Sequence, residues 1–241
     1  MTTSSPAKPR ENLLLSALPP DERALIGAEL ERVPLELKQV VQEPGEPLGH
    51  LWFPLSGVIS ITTQMEDGSI VEVATIGREG MAGVSAVLGA PELSQLTFCQ
   101  VPGEAERLSP TQFERLAPRL PHLHRILLRY AGTLVTQIAQ GSACNRLHPI
   151  ESRCARWLLM THDRVDGDQF PLTHEFLAQM LGVTRPSVTI AAGILQKAGL
   201  IRYTRGVVDV LDRPLLEQAA CECYGVISRE FQRLVAPDSA G

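Results

Sequence analysis

The chain has 241 residues, of which 44% are hydrophobic and 20% charged, a composition typical of a globular protein long enough for two domains. Its formal net charge of -5 excludes a uniformly basic surface, so any contact with phosphates must come from a local cluster of cations. No apolar stretch approaches the length of a membrane span, and the five cysteines include no CxxC pair. These properties predict a cytoplasmic protein without a disulfide framework or a zinc ribbon.

The N-terminal stretch is rich in Thr, Ser and Pro and lacks an apolar run. It predicts a disordered N-terminus over 1–12 that is neither a signal peptide nor a membrane anchor. A first helix is expected from about Asp21 to Glu31, directly after the pair Pro19 and Pro20.

Short alternating segments separated by glycine and proline turns run from Leu37 to Leu108. Strands spaced this closely predict an antiparallel β-roll or barrel. A helix from about Ser109 to Leu116 completes a first domain over 13–120. The candidate strands are LKQVVQ, HLWF, VISITTQM, IVEVATI, LTFCQV and EAERL.

Pro121 begins a long helical run that reaches about Asn145, with apolar residues at intervals of three and four. Such a helix can pair with its own copy, which predicts a dimerisation helix over 121–147. The alternative is a helix buried against its own roll. The residues expected at the dimer interface are Leu123, Leu127, Tyr130, Leu134 and Ile138.

The stretch over 173–198 predicts two short helices joined by a tight turn, a geometry that proteins use to read duplex DNA. Thr173 is placed to cap the first helix, Gly182 can end it in the left-handed conformation, and Thr184 can cap the second. The second helix is expected to bury Val188, Ala191, Ile194, Leu195 and Ala198, and to expose Arg185, Pro186, Ser187, Thr189, Gly193 and Gln196.

A β-hairpin is expected after the second helix, because the segments 200–203 and 207–211 flank a turn at Thr204, Arg205 and Gly206. Together these elements predict a winged helix-turn-helix domain over 148–213. Between Thr173 and Arg205 four cations oppose one carboxylate, a local balance of +3. The predicted partner is therefore double-stranded DNA.

A terminal helix is expected from Pro214 in the segment 214–241, packed through its apolar side. Cys221 and Cys223 could suggest a thiol switch or a metal site. On one helix, however, side chains two residues apart point about 200° apart, which favours small buried core residues. No cofactor is expected.

The order of a β-roll, a long central helix and a C-terminal winged helix resembles the cyclic-AMP receptor protein and FNR (Crp/Fnr) family of bacterial transcription regulators. The match runs from about Leu14 to Leu211 and is most specific in LTHEFLAQMLGVTRPSVTIAAGILQKAGLI. The resemblance implies an α+β fold, with a cyclic-nucleotide-binding-like roll, and a homodimer on a pseudo-palindromic site. The residues at the family's helix-turn-helix packing positions are Ala178, Gly182, Val188 and Leu195.

By position, the resemblance implies that Arg185 contacts a base edge and that Thr184 and Ser187 contact phosphates. Pro186 and Ile190 stand where well-known members carry glutamate and arginine, so the half-site must differ from theirs. The expected DNA-binding residues are Thr173, His174, Thr184, Arg185, Pro186, Ser187, Thr189 and Arg205.

The effector site departs further from the family. The loop 77–83 corresponds loosely to the part that meets the ribose, and Leu93, Ser94 and Gln95 align with the arginine-serine pair that anchors the cyclic phosphate. No arginine is present there, so a buried phosphate would lack its counter-charge unless Arg78 substitutes. The effector is therefore unknown, and cyclic AMP bound in the family's manner is not expected. The candidate pocket residues are Gly77, Arg78, Glu79, Gly80 and Ser94.

The N-terminal iron–sulfur cysteines of FNR are also missing, because the first cysteine is Cys99. Two alternatives to a non-enzymatic regulator stay open. One is a cupin-like metal-dependent enzyme using His50, His122 and His124, although no acidic partner follows these at ligand spacing. The other is an interaction module whose terminal helix docks a partner such as RNA polymerase.

Overall fold

The N-terminal end of the roll is anchored by a buried asparagine. The computed structural model describes residues 11–90, 92 and 94–235, so most of the tract predicted to be disordered lies outside the described residues. Asn12, which that prediction included, is ordered. Its side chain accepts hydrogen bonds from two amides of the first helix and donates to the carbonyls of Pro54 and Gly80. The prediction was wrong for Asn12 because these partners are remote in sequence.

In the described chain a strand-rich half is followed by a helical half, which is the predicted α+β class. The helices are α1 (Leu13–Ser16), α2 (Pro20–Gly27), α3 (Pro110–Leu116), α4 (Pro121–Leu147), α5 (Ile150–His162), α6 (His174–Leu181), α7 (Arg185–Lys197), α8 (Arg213–Ala219) and α9 (Glu222–Val235). The strands are β1 (Glu31–Leu35), β2 (Val40–Gln42), β3 (Leu51–Pro54), β4 (Val58–Gln64), β5 (Ile70–Ile76), β6 (Leu96–Val101), β7 (Gly103–Leu108), β8 (Gln169–Pro171), β9 (Ile201–Thr204) and β10 (Val207–Val210).

Two antiparallel sheets form the roll, one in the order β1-β7-β3 and the other in the order β2-β6-β4-β5. Their facing side chains fill the interior with apolar groups contributed by every strand. β1 was not expected, since the first helix was predicted to reach Glu31. Pairing of Val33 with Ala105 on β7 overrides that local preference. The buried interior residues are Leu35, Val41, Trp52, Ile59, Ile76, Ala82, Cys99 and Ala105.

The long helix α4 begins on a buried carboxylate. Glu22 accepts hydrogen bonds from the amides of His122 and Leu123, each at 3.0 Å, which satisfies donors that the helix itself leaves free. Burial acts to raise the pKa of Glu22, but the hydrogen bonds from these two residues outweigh it and hold the pKa below its usual value. The Nδ1 of His122 also lies 2.6 Å from this carboxylate, so His122 belongs to the helix cap.

The structure corrects the face predicted for dimerisation. Leu123, Leu127, Tyr130 and Leu134 are buried in the core of their own chain, and Ile138 packs against that core. The alternative reading of a helix buried against its own roll is therefore right for this face. The heptad pattern could not identify the dimer face, because α4 carries apolar residues on two sides. On the other side, the exposed fractions are 44% for Leu128 and 64% for Val135.

The helical half has its own core, built from α5, α6, α7 and a three-stranded sheet in the order β8-β10-β9. β8 was not predicted, because three residues give too weak a pattern. In α7, Val188, Ala191 and Leu195 are buried as expected. Ile194 and Ala198 are exposed instead, since the buried stripe of this helix is narrower than the sequence suggested.

This helical half packs directly on the roll. Trp157 on α5 donates a hydrogen bond of 2.8 Å to Glu72 on β5, and Ser60 donates another to the same carboxylate. Burial raises the pKa of Glu72 to about 7, although both hydrogen bonds act in the opposite direction. Phe176 on α6 meets Phe98 edge to face, with the ring centroids 6.2 Å apart.

The terminal segment contains two helices where one was predicted. The helical conformation is interrupted at Ala220 and Cys221, between α8 and α9. α9 then packs along α4 and buries Ile227, Phe231 and Leu234 in the roll-side core. Residues 236–241 lie outside the described residues. Among the described helices, none combines the length and the apolar character needed to cross a membrane.

Candidate nucleic-acid interface

The predicted helix-turn-helix is present as α6, a tight turn and α7. The Thr173 hydroxyl accepts from the amide of Phe176 at 3.1 Å and caps α6. Gly182 ends α6 with φ of 61°, in the left-handed region that favours glycine. Thr184 occupies the cap position of α7, but its hydroxyl pairs with the Ser187 hydroxyl at 2.9 Å.

The outer face of α7 is exposed, and among its residues Thr189 contacts another helix through His174. Arg185, at its first turn, is exposed, and its guanidinium forms no hydrogen bond or ion pair with any residue that the structure describes. Ile190 is 64% exposed and Ile194 is 46% exposed. Neither isoleucine was predicted as a contact residue, and Ile194 was expected in the core. We define the outer face as Arg185, Pro186, Thr189, Ile190 and Ile194.

His174 holds α6, α7 and the hairpin together. Its Nδ1 lies 3.0 Å from the Thr189 hydroxyl, and its ring centroid lies 4.3 Å from that of Tyr203. Burial and the nearby charge of Arg185 lower its pKa, which favours the neutral imidazole. His174 therefore positions the outer face, and Thr173 beside it is exposed.

The predicted wing is the hairpin of β9 and β10. Arg205 and Gly206 at its turn both have positive φ, 50° and 79°, as a two-residue turn of this kind requires. Arg205 is exposed at the tip. The Nη2 of Arg202 lies 3.8 Å from the Oδ2 of Asp209. The wing thus presents a cation beside α7.

The candidate effector loop is committed to contacts within the chain. Glu79 accepts a hydrogen bond of 2.8 Å from the Nε of Arg164, which lies in the turn after α5, and the Gly77 amide also donates to Glu79. A Cβ at Gly80 would lie 2.6 Å from the Tyr130 hydroxyl, so only glycine fits. The loop therefore fastens the roll to the helices around it.

The residues proposed for the effector site do not form one pocket. Arg78 is exposed and, with Glu79, lines a cleft of about 500 Å³ between the roll, α5 and α9. Ser94 is exposed and does not line that cleft. Leu93, its predicted neighbour in the site, lies outside the described residues.

The three histidines weighed as metal ligands also lie apart. His50 packs against Trp52, with ring centroids 5.9 Å apart, and His122 belongs to the cap of α4. Within the described ranges, none of His50, His122 and His124 belongs to a cluster of three or more side chains that could hold a metal ion. The cupin-like arrangement is therefore not formed by these residues.

The segment that contains this interface is similar to known proteins. Residues 152–219 match the model of the Crp-like helix-turn-helix domain. A global nitrogen regulator from Synechocystis is 23% identical over 185 residues, which cover 73% of this chain and 82% of that protein. A global nitrogen regulator from Nostoc has the same identity and coverage.

Solved structures show the same fold. FixK2 from Bradyrhizobium japonicum has a TM-score of 0.68 at 14% identity, covering 80% of this chain and 98% of that one. A transcriptional regulator of the crp/fnr family from Eubacterium rectale has a TM-score of 0.67 at 16% identity, covering 87% and 99%. The resemblance drawn from the sequence is confirmed by these comparisons.

Proposed function

We propose that this chain, a DNA-binding transcription regulator of the Crp/Fnr type, acts as a homodimer that reads a pseudo-palindromic duplex through the outer face of α7. The observation that carries the proposal is the free, exposed guanidinium of Arg185 at the start of α7. In this proposal the roll over 13–120 is the sensory part, 121–147 joins the subunits and 148–213 binds DNA. The protein acts without enzymatic activity and in the cytoplasm.

Each side chain of the outer face suits a particular contact. The planar fork of Arg185 can bind guanine O6 and N7 in the major groove. Thr184 and Ser187 lie at the N-terminus of α7, where hydroxyls and the helix dipole favour phosphate. Ile190 has no hydrogen-bonding group, so its suitable partner is the methyl group of thymine.

The remaining predicted residues support this contact from the sides. Arg205 at the tip of the wing can meet a phosphate of the adjacent backbone. Thr173 is exposed at the start of α6, where the resemblance implies a backbone contact. His174 and Thr189 are hydrogen-bonded to each other, which suits them to orient the face.

The dimer interface is assigned to the exposed side of α4. Leu128 and Val135 are seven residues apart, which is one heptad, and Gly132 lies between them and permits close approach of a second helix. This stripe replaces the buried set predicted from the sequence.

A substitution at Val135, on the exposed side of α4, tests this interface. Val135→Arg places a charge in the proposed seam and is expected to yield a monomer in sedimentation velocity experiments. Val40→Arg is the matched control, because Val40 is an exposed valine on the roll. A dimer retained by the first variant would refute this interface.

Regulation by cyclic AMP in the family's manner does not fit the loop. Glu79 is paired with Arg164, and the segment at Ser94 has no arginine for a cyclic phosphate. A docking role for the terminal helix is the second candidate, with a partner such as RNA polymerase. It is less favoured, because the apolar side of α9 is buried in its own chain.

Selection of bound duplexes from random DNA tests the function. The wild-type chain is expected to enrich two inverted half-sites about one helical turn apart, and to do so equally with and without a panel of cyclic nucleotides. Enrichment of no sequence at moderate salt would overturn the proposal. Enrichment that requires cyclic AMP would overturn its effector part alone.

A further inference from the structure

Four side chains of the kinds that bind soft metal ions meet near the junction of α4 and α5. Cys144 lies in the last turn of α4, His148 follows the end of that helix, and Cys221 and Cys223 flank the start of α9. The three thiols are buried, and the imidazole of His148 is 22% exposed. One atom from each residue lies within 4.8 Å of the other three.

The break between α8 and α9 makes this convergence possible. On a continuous helix, Cys221 and Cys223 would point in different directions. Here Cys221 precedes α9 and Cys223 lies in its first turn, so both thiols reach Cys144, which is 77 residues away in sequence from Cys221.

The spacing of the donor atoms suits one tetrahedral ion. The Sγ atoms of Cys144 and Cys221 are 3.5 Å apart, and the Sγ of Cys223 lies 3.4 Å from the Nδ1 of His148. A tetrahedral site with Zn–S bonds of ~2.3 Å has sulfur–sulfur edges of ~3.8 Å. To surround a single ion, the Cys144 and Cys221 sulfurs would move slightly apart, and the wider pairs, separated by no more than 4.8 Å, would move slightly together.

The surrounding groups support metal ligands. The Nε2 of His148 lies 3.2 Å from a Glu222 carboxylate oxygen, which fixes the ring with Nδ1 directed at the thiols. A carboxylate in this position is a usual partner of a metal-bound histidine. Gln140 donates a hydrogen bond of 3.1 Å to the Sγ of Cys223, a contact that stabilises a thiolate.

Two buried cations on α5 provide counter-charge. Arg153 and Arg156 are each only 8% exposed. Burial lowers the pKa of Arg153, and the negative charge of the Cys144 thiolate opposes that effect. Three thiolates around a divalent ion carry one net negative charge, which suits this setting.

We propose that Cys144, His148, Cys221 and Cys223 bind one zinc ion in a closed tetrahedral site. All four ligands come from the protein, so no position is open for substrate, and the site is structural. The ion would join the end of α4 and the residue that follows it to the start of α9. This junction lies beside the two-residue link between α4 and α5. The ion thereby fixes how the DNA-binding helices are held on the long helix.

Metal analysis of the full chain, purified under reducing conditions, tests the site. We expect about one zinc ion per chain and, after exchange, the intense visible absorption of tetrahedral cobalt(II) bound by thiolates. Cys221→Ala is expected to lose the zinc and the cobalt spectrum. Cys99→Ala, a buried cysteine in the roll, is the matched control and retains both.

A second measurement does not depend on the folding of a variant. In the wild-type chain, chelation of zinc is expected to expose three additional thiols to a thiol reagent and to lower the thermal midpoint, and added zinc reverses both changes. Absence of bound zinc, a disulfide between Cys144 and Cys221 in the reduced preparation, or the absorption of an iron–sulfur cluster would each overturn the proposal.

Discussion

The loop over 77–80 and the outer face of α7 were both predicted to bind ligands, the loop an effector and α7 DNA, from one family resemblance. In the structure, their side chains differ in how many contacts they make within the chain. Arg185 on α7 is exposed and unpaired within the described chain. In the loop, Glu79 is bound to Arg164, and Gly80 lies against Tyr130. A ligand can use the first set at once, whereas it must break existing contacts to use the second.

This contrast separates two kinds of motif residue. A side chain without a partner contributes little to stability and can serve recognition, while a buried, paired side chain contributes to stability and is costly to redirect. Substitutions of the paired or tightly packed residues of the loop should therefore change the free energy of unfolding. Substitutions on the outer face should change DNA affinity.

The largest effect is expected at the loop ion pair. Arg164→Ala leaves Glu79 as an uncompensated charge, because the two side chains are only 5% and 14% exposed. The free energy of unfolding should fall by about 3–5 kcal/mol in urea denaturation. Arg78→Ala, an exposed neighbour, should change it by less than about 0.5 kcal/mol. Equal effects of the two variants would remove the contrast.

Glycine-to-alanine substitutions in the loop and in α7 should change the free energy of unfolding in opposite directions. Gly80→Ala forces a Cβ into the Tyr130 ring and should cost about 1–3 kcal/mol of unfolding free energy. Gly193→Ala in α7 meets nothing within 4 Å and should stabilise by about 0.5–1 kcal/mol, because alanine favours helix. Thermal or chemical unfolding measures both, and a common sign would contradict the account.

A smaller effect than those in the loop is expected at Thr173, which is exposed beside the outer face but also caps α6 with its hydroxyl. Thr173→Ala removes the hydrogen bond to the Phe176 amide and should cost about 1 kcal/mol of unfolding free energy. Thr173→Ser keeps the hydroxyl and should restore stability. An alanine variant as stable as wild type would show that the cap contributes nothing.

The elements predicted correctly are those encoded by local signals. The turn at Gly182, the cap at Thr173 and the hairpin at Arg205 each follow from a few adjacent residues. The missed elements depend on remote partners. β1 forms because β7 lies beside it, and the face of α4 that pairs or packs is decided by the roll and α9.

The metal-binding cluster shows the same limit. The pattern Cys221-x-Cys223 was interpreted as part of one helix, which separates the two side chains. The break before α9 and the approach of Cys144 and His148 depend on the packing of α9 along α4. The residues 144 and 148 carry no spacing signal that joins them to 221 and 223, so the site could not be predicted from sequence.

Arg185 is proposed to read a base pair from an exposed helix face. The direct measurement is the affinity of wild type and Arg185→Ala for the selected duplex and for its single-base-pair variants at fixed salt. We expect Arg185→Ala to lose about 1–3 kcal/mol of binding free energy and to lose discrimination at one base pair in each half-site. A loss of the same size on every duplex, with discrimination unchanged, would contradict it.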